Sequence, residues 1–234
     1  MINNYEEVME MIYNIAIDGP AGAGKSTIAK RVAKKLSFIY VDTGAMYRAM
    51  AYYLLTQKVS GSDPEEIASA CQGAEISIEY RNGEQIVLLN GENVNAFLRT
   101  EEVGNMASVS SANPSVRARL LDLQRNLAKV QSVVMDGRDI GTTILPDADV
   151  KIFLTASAAT RAKRRYKELT ERGEACDLAE IQKDIEERDQ RDMNREISPL
   201  RQAEDAELVD SSEMTIDQVA AEILRIFQEK TAKK

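Results

Sequence analysis

Residues 19–26, Gly19-Pro20-Ala21-Gly22-Ala23-Gly24-Lys25-Ser26, satisfy the spacing G-x-x-x-x-G-K-[ST] at every fixed position. The chemistry of this pattern is phosphate binding. Glycines let the backbone curl until successive N–H groups face one anion, and a helix start adds the positive end of its dipole. Lys25 supplies a point charge for the outer phosphates. Ser26 can reach a phosphate-bound Mg²⁺, with Thr27 as the next hydroxyl. The stretch Gly19 to Thr27 therefore reads as a nucleoside triphosphate site, without naming the reaction.

Other charged residues gather in short segments. Asp42-Thr43-Gly44-Ala45-Met46-Tyr47-Arg48 and Asp136-Gly137-Arg138-Asp139 each follow an apolar run. Arg188, Arg191 and Arg195 share one face at helical spacing, with Asp192 four residues after Arg188. On spacing alone that face also suits a solvated salt-bridge surface. Arg161-Ala162-Lys163-Arg164-Arg165 puts cations at a helix start, where the dipole disfavours them. Phosphoryl transfer asks mainly for positioning and charge neutralisation. An acceptor that is itself a phosphate brings an anionic oxygen and needs no general base.

Composition narrows the alternatives. The 234 residues contain no His, which removes imidazole acid–base chemistry, His-metal sites and Ser-His or Cys-His pairs. Cys71 and Cys176 are too few for a four-ligand zinc site and read as free thiols. With 30 basic and 38 acidic side chains the net charge is −8, which disfavours nucleic acid as a partner. No apolar run is long enough to span a membrane and no secretory signal is visible, so a cytoplasmic protein without a membrane partner is expected. No Asn-Lys-x-Asp string occurs, which argues against a guanine-nucleotide switch.

These residues need a scaffold. Asn14 to Asp18 is a short apolar strand, Lys25 to Leu36 carries a helical stripe, Phe38 to Val41 is a second strand and Thr43 to Leu55 a second helix. This is a βαβ unit, so the predicted class is α/β with a parallel sheet. Further strands are expected at 132–135, 150–154 and 207–209, and helices at 115–130, 158–171, 177–194 and 215–229. Asp177 with Glu180 reads as a capping box. Alternating residues at 76–80 and 85–89 around Asn82-Gly83 predict an antiparallel hairpin, an insert at roughly 60–100. In an open sheet of this kind, ligands lie beyond the carboxyl ends of the strands. The charged segments should meet there.

Taken together, Ile17–Thr27, Asp42–Arg48, Arg99-Thr100-Glu101-Glu102-Val103, Asp136–Thr142, Val150–Ser157, Arg161–Arg165 and Arg188–Arg195 resemble the bacterial cytidylate kinases, a family of nucleoside monophosphate kinases. The resemblance runs from about Ile15 to the C-terminal helix. It implies a P-loop NTPase-type core flanked by helices, a small antiparallel-β monophosphate-binding insert and a short helical lid. The implied organisation is an extension at 1–13, then one unit with core at 14–59, 100–157 and 172–234, insert at 60–99 and lid at 158–171. It implies ATP-dependent phosphorylation of CMP and dCMP in pyrimidine nucleotide metabolism, by a monomer.

The resemblance also implies roles for single residues. Lys25, Arg138, Arg164 and Arg188 would act on the transferring phosphoryl group, with Arg161 and Arg165 also in the lid. Thr43, Tyr47, Arg48, Arg138, Arg188, Asp192 and Arg195 would hold the monophosphate nucleotide. Ser108, Arg117 and Asp139 match positions that read cytosine, whose amine a carboxylate accepts and whose O2 and N3 a guanidinium satisfies. Ser26 and, through water, Asp136 would serve Mg²⁺. Two positions depart from the pattern: Ser26 stands where some relatives have Gly, and Thr43 where the family often has Ser.

Overall fold

The computed structural model describes residues 11–232. Eight strands and eight α-helices are described: β1 Asn14–Asp18, α1 Lys25–Leu36, β2 Ile39–Asp42, α2 Thr43–Thr56, α3 Pro64–Ala70, β3 Ile76–Arg81, β4 Glu84–Leu89, β5 Glu92–Asn93, α4 Glu101–Ser110, α5 Pro114–Val130, β6 Val133–Gly137, β7 Val150–Thr155, α6 Ala158–Glu171, α7 Leu178–Asn194, β8 Glu207–Asp210 and α8 Ile216–Thr231. A 3-10 turn covers Cys71–Gly73 and a π-helical turn Ile140–Ile144.

Five strands form a parallel sheet in the order β2-β6-β1-β7-β8. Burial on both faces explains the composition of β1. Ile15 and Ile17 pack with Val32 of α1 and Ile223 and Phe227 of α8. Ala16, pointing the other way, joins Met46 of α2, Leu120 of α5 and Met135 of β6. The chain leaves β1 toward β2 on one side and later adds β7 on the other, so the strand order reverses beside β1. A crevice opens at such a point, beyond the strands' carboxyl ends.

Strands β3, β4 and β5 form a separate antiparallel sheet turning at Asn82-Gly83, as the alternation predicts. It rests on α2 and α4 through Val87, Leu89, Met50, Leu54 and Val103. Two polar side chains tie it to the edge strand β2. The Gln85 amide accepts from the Asp42 N–H at 2.9 Å and donates to the Asp42 carbonyl at 3.1 Å. The Tyr80 hydroxyl donates to the Tyr40 carbonyl at 3.1 Å.

Several local features differ from expectation. Helix α4 carries no clear periodic signal in the sequence, because Gly104 and Ser residues dilute its apolar stripe. Its N-cap Thr100 accepts from the Val103 N–H. Helix α3 starts on Asp63 and Pro64, a cap with Pro at the first position. Asp177 caps α7 through the Ala179 and Glu180 N–H groups, while the reciprocal box forms at Thr215 and Gln218 of α8. The expected 1–13 extension falls mostly outside the described residues, yet Tyr13 already bonds Ser132 and meets Phe227 edge-on. Both cysteines are free.

Replacing Gln85 with Ala should strand the Asp42 N–H and carbonyl, which costs about 1–2 kcal/mol. Amide hydrogen exchange should quicken in β3 and β4 and leave β1 and β6 protected. Unchanged exchange in the hairpin would refute this bridging role.

Candidate functional site

One cavity of about 730 Å³ opens at the carboxyl ends of the parallel strands. The loop after β1 lines one end of it, from Ala21 to Thr27. Gly19 and Pro20 do not line it; they shape the loop. A side chain at Gly19 would place Cβ 1.9 Å from the Leu154 carbonyl oxygen, so the chain can cross β7 only there as glycine. Gly24 caps α1 with φ +86, a left-handed conformation, and no side chain caps that helix. The first N–H groups of α1 thus start beside the cavity with no side-chain partner, as an anion site requires.

Lys25 is buried, and its Nζ donates to the Pro20 carbonyl at 2.7 Å. Burial and then Arg138 push this lysine well below its ordinary range, against the pull of Asp136 and Asp18. Ser26 donates to Asp136 Oδ2 at 2.9 Å, and Tyr40 donates to Asp136 Oδ1 at 3.0 Å. Burial, with Asp42 adding, pushes Asp136 up to about 6. A hydroxyl on the phosphate loop touching a strand-end carboxylate is a donor pair suited to Mg²⁺, which takes one or two protein oxygens plus phosphates and water. Among the described residues no cluster of three metal-ligating side chains occurs.

The opposite end is cationic. Arg48, Arg99, Arg138, Arg188 and Arg195 all line the cavity. Burial and then Arg138 lower Arg188 to about 10, with Arg48 and Arg191 adding. Arg188 Nε is buried and makes no hydrogen bond. Burial also lowers Arg48, with Arg99 and Arg138 against it and Asp42 opposing. Asp192 relieves part of this crowding by accepting from Arg138 Nε at 2.8 Å. Burial alone would raise Asp192, but Arg138, with Arg188 and Arg195, lowers it. The remaining repulsion is what a bound anion would remove.

A third group lies deeper. Asp139, 3% exposed, pairs with Arg117 and at 3.5 Å with Arg195. The Arg117 guanidinium lies 5.7 Å from the Tyr47 ring, and burial raises the Tyr47 phenol to about 12. Ser108, on α4, lines the same region. Thr43 is buried, and its hydroxyl donates to the Asp136 carbonyl at 2.7 Å, tying the start of α2 to β6.

The basic run of α6 divides. Arg161 is 5% exposed and fully engaged: it donates to the Ala156 carbonyl at 2.8 Å, to the Ala21 carbonyl at 2.9 Å and to Asp189 of α7 at 2.5 Å. It braces the phosphate loop rather than reaching across the cavity. Arg164 donates to the Ser211 carbonyl at 2.6 Å, and Arg165 to Glu168 at 3.0 Å; both line the cavity. Sequence reasoning gave no role to Asp42, Arg99, Asp18 or Ser211. Asp42 and Arg99 lie inside motifs that could have flagged them; Ser211, after β8, carries no signal.

A family model for cytidylate kinase matches residues 15–229. The chain is 50% identical over 216 residues to a cytidylate kinase of Lactiplantibacillus plantarum, covering 92% of this chain and 95% of that one. It is 49% identical over 214 residues to a cytidylate kinase of Caldicellulosiruptor saccharolyticus, again 92% and 95%. A Geobacillus cytidylate kinase is 49% identical over 216 residues, 92% and 96%. Among solved structures, a protein from Eubacterium ventriosum matches with TM-score 0.50 at 14% identity, over 92% of this chain and 98% of that one, a likeness of fold. With its P-loop, parallel sheet and nearly full-length match, the chain belongs to the cytidylate kinase family.

Proposed function

We propose that this protein transfers the terminal phosphoryl group of ATP to CMP and dCMP, giving ADP and the cytidine diphosphates. The observation that carries the reading is one cavity joining a phosphate loop, a crowd of unneutralised guanidiniums and a buried Asp–Arg pair. The loop N–H groups and Lys25 hold the donor's phosphates. Arg48, Arg138 and Arg188 hold the acceptor phosphate and aim its oxygen in line, which is most of what this chemistry asks of a protein. Asp139 accepts from the cytosine amine, Arg117 donates to its other edge, and Ser108 adds a hydroxyl. Thr43 and Tyr47 shape the acceptor pocket, and Asp192 and Arg195 serve the sugar and phosphate. Arg164 leaves Ser211 when α6 closes over the donor and supports the charge spread over the transferring group.

Ser26 and Asp136 would hold Mg²⁺, which supplies charge neutralisation to the donor phosphates. The reading includes a monomer acting in the cytoplasm on small nucleotides, with neither nucleic acid nor membrane as partner. No helix of the described residues is long and apolar enough to cross a membrane.

ADP release with ATP and a panel of CMP, dCMP, UMP and AMP tests the assignment; CMP and dCMP should give the highest kcat/KM, and a preference for AMP would overturn it. Arg188→Ala should raise KM for CMP by about tenfold to a hundredfold, the range for losing a charge-assisted contact, with KM for ATP moved less than about threefold. Equal rises would count against Arg188 as an acceptor ligand.

Asp136 gains a proton below about pH 6 and then competes poorly for a cation. The apparent Mg²⁺ requirement should therefore increase more steeply below pH 6 in the natural protein than in Asp136→Asn. The comparison is needed because the donor's terminal phosphate protonates in the same range. Parallel curves for the two proteins would remove Asp136 from the metal site.

A further inference from the structure

Asp18 ends β1, directly before the first glycine of the phosphate loop. It is 4% exposed and does not line the cavity. Both carboxylate oxygens are committed in one direction. One accepts from the Ile140 N–H at 2.8 Å and the other from the Gly141 N–H at 2.7 Å. These N–H groups open the π-helical turn Ile140–Ile144, whose own bonds begin at Thr143 N–H to the Asp139 carbonyl. The opening N–H groups of such a turn have no partner within it. Asp18 supplies both.

The segment so gripped begins immediately after Arg138 and Asp139. Lys151 crowds the same side of Gly141: a Cβ there would lie 3.1 Å from Lys151 Cδ and 3.5 Å from Asp18 Oδ2. Lys151 is itself buried and held by Asp205 at 2.8 Å. A fixed carboxylate and a fixed lysine stem therefore both meet the turn at Gly141. Burial raises Asp18 to about 6, and the two N–H bonds, followed by Lys25, work against that rise. A group kept as an anion against burial, by bonds to one turn, is a strut for that turn.

We propose that Asp18 is a positioning residue for the acceptor half of the site, although it adjoins the donor loop. Its carboxylate sets the height of Arg138 and Asp139 above the sheet and so governs the choice of pyrimidine. This rests on the reading above in which Asp139 meets the cytosine amine. The competing idea is that Asp18 acts through its charge on Lys25, in which case the donor side should suffer.

Steady-state kinetics of the full chain, Asp18→Asn and Asp139→Asn with CMP, UMP and ATP separate these. Asparagine keeps the shape of Asp18 but turns an amide N–H₂ toward one of the two N–H groups. KM for CMP should rise about tenfold, the size expected for one charge-assisted hydrogen bond. The CMP-to-UMP ratio of kcat/KM should fall by a similar factor, and KM for ATP should move less than about twofold. A general loss of packing would not shift selectivity in this way. An equal or larger rise in KM for ATP, or an unchanged ratio while Asp139→Asn has lost it, overturns the inference. A ratio left intact by Asp139→Asn overturns the base-reading role itself, and this inference with it. Should Asp18→Asn show no cooperative thermal unfolding, Gly141→Ala, which crowds the same turn from outside the cavity, decides in the same assay: a CMP-selective loss supports the proposal and an even loss refutes it.

Discussion

Like charges held close together govern this molecule. Burial, and then neighbouring guanidiniums including Arg138, lower the proton affinity of Arg48 and Arg188, and Lys25 is lowered by burial and Arg138. Repulsion of this kind is tolerated only because the fold fixes each group on a different rigid element: Lys25 at the start of α1, Arg48 on α2, Arg138 after β6 and Arg188 on α7. The carboxylates Asp192, Asp42 and Asp136 stand among them and offset part of the repulsion. Two phosphate-bearing ligands would complete the neutralisation.

The parallel sheet supplies the geometry. Strands β1, β2 and β6 all end on the same side of the sheet, and each ends in or beside a carboxylate: Asp42 and Asp136 line the crevice, while Asp18 lies behind it. Each has a different task. Asp42 caps α2 through the Ala45 N–H, Asp136 meets the loop serine, and Asp18 grips the turn after β6. Three acidic strand ends side by side would repel if all faced one point. Each is held by its own partner, although Asp42 still adds to the rise of Asp136.

Sequence showed the parts whose signals are local. The phosphate loop has fixed spacing, the strands of the sheet have short apolar runs, and Asn82-Gly83 marks a hairpin. Motif resemblance added Arg117 and Asp139, which have no periodic signature. Hidden from sequence were features made by tertiary neighbours. Arg161 reads like Arg164 and Arg165 in the string, yet the Ala21 carbonyl and Asp189 draw it inside while the other two remain near the surface. Helix α4 lacks a strong stripe and is held by Val103, Met106 and Ala107 against the insert's core. Asp18 looks like one more residue of the loop motif, because its partners lie more than a hundred positions away.

The contacts of Gln85 and Tyr80 with β2 have a consequence outside the cavity. β2 is an outermost strand of the parallel sheet, and an outermost strand offers free N–H and carbonyl groups to any passing chain. The hairpin occupies that flank with side-chain groups that imitate a neighbouring strand at Asp42 and Tyr40. The hairpin thus shields the open flank of β2 from a second sheet, and shortening it would cost solubility.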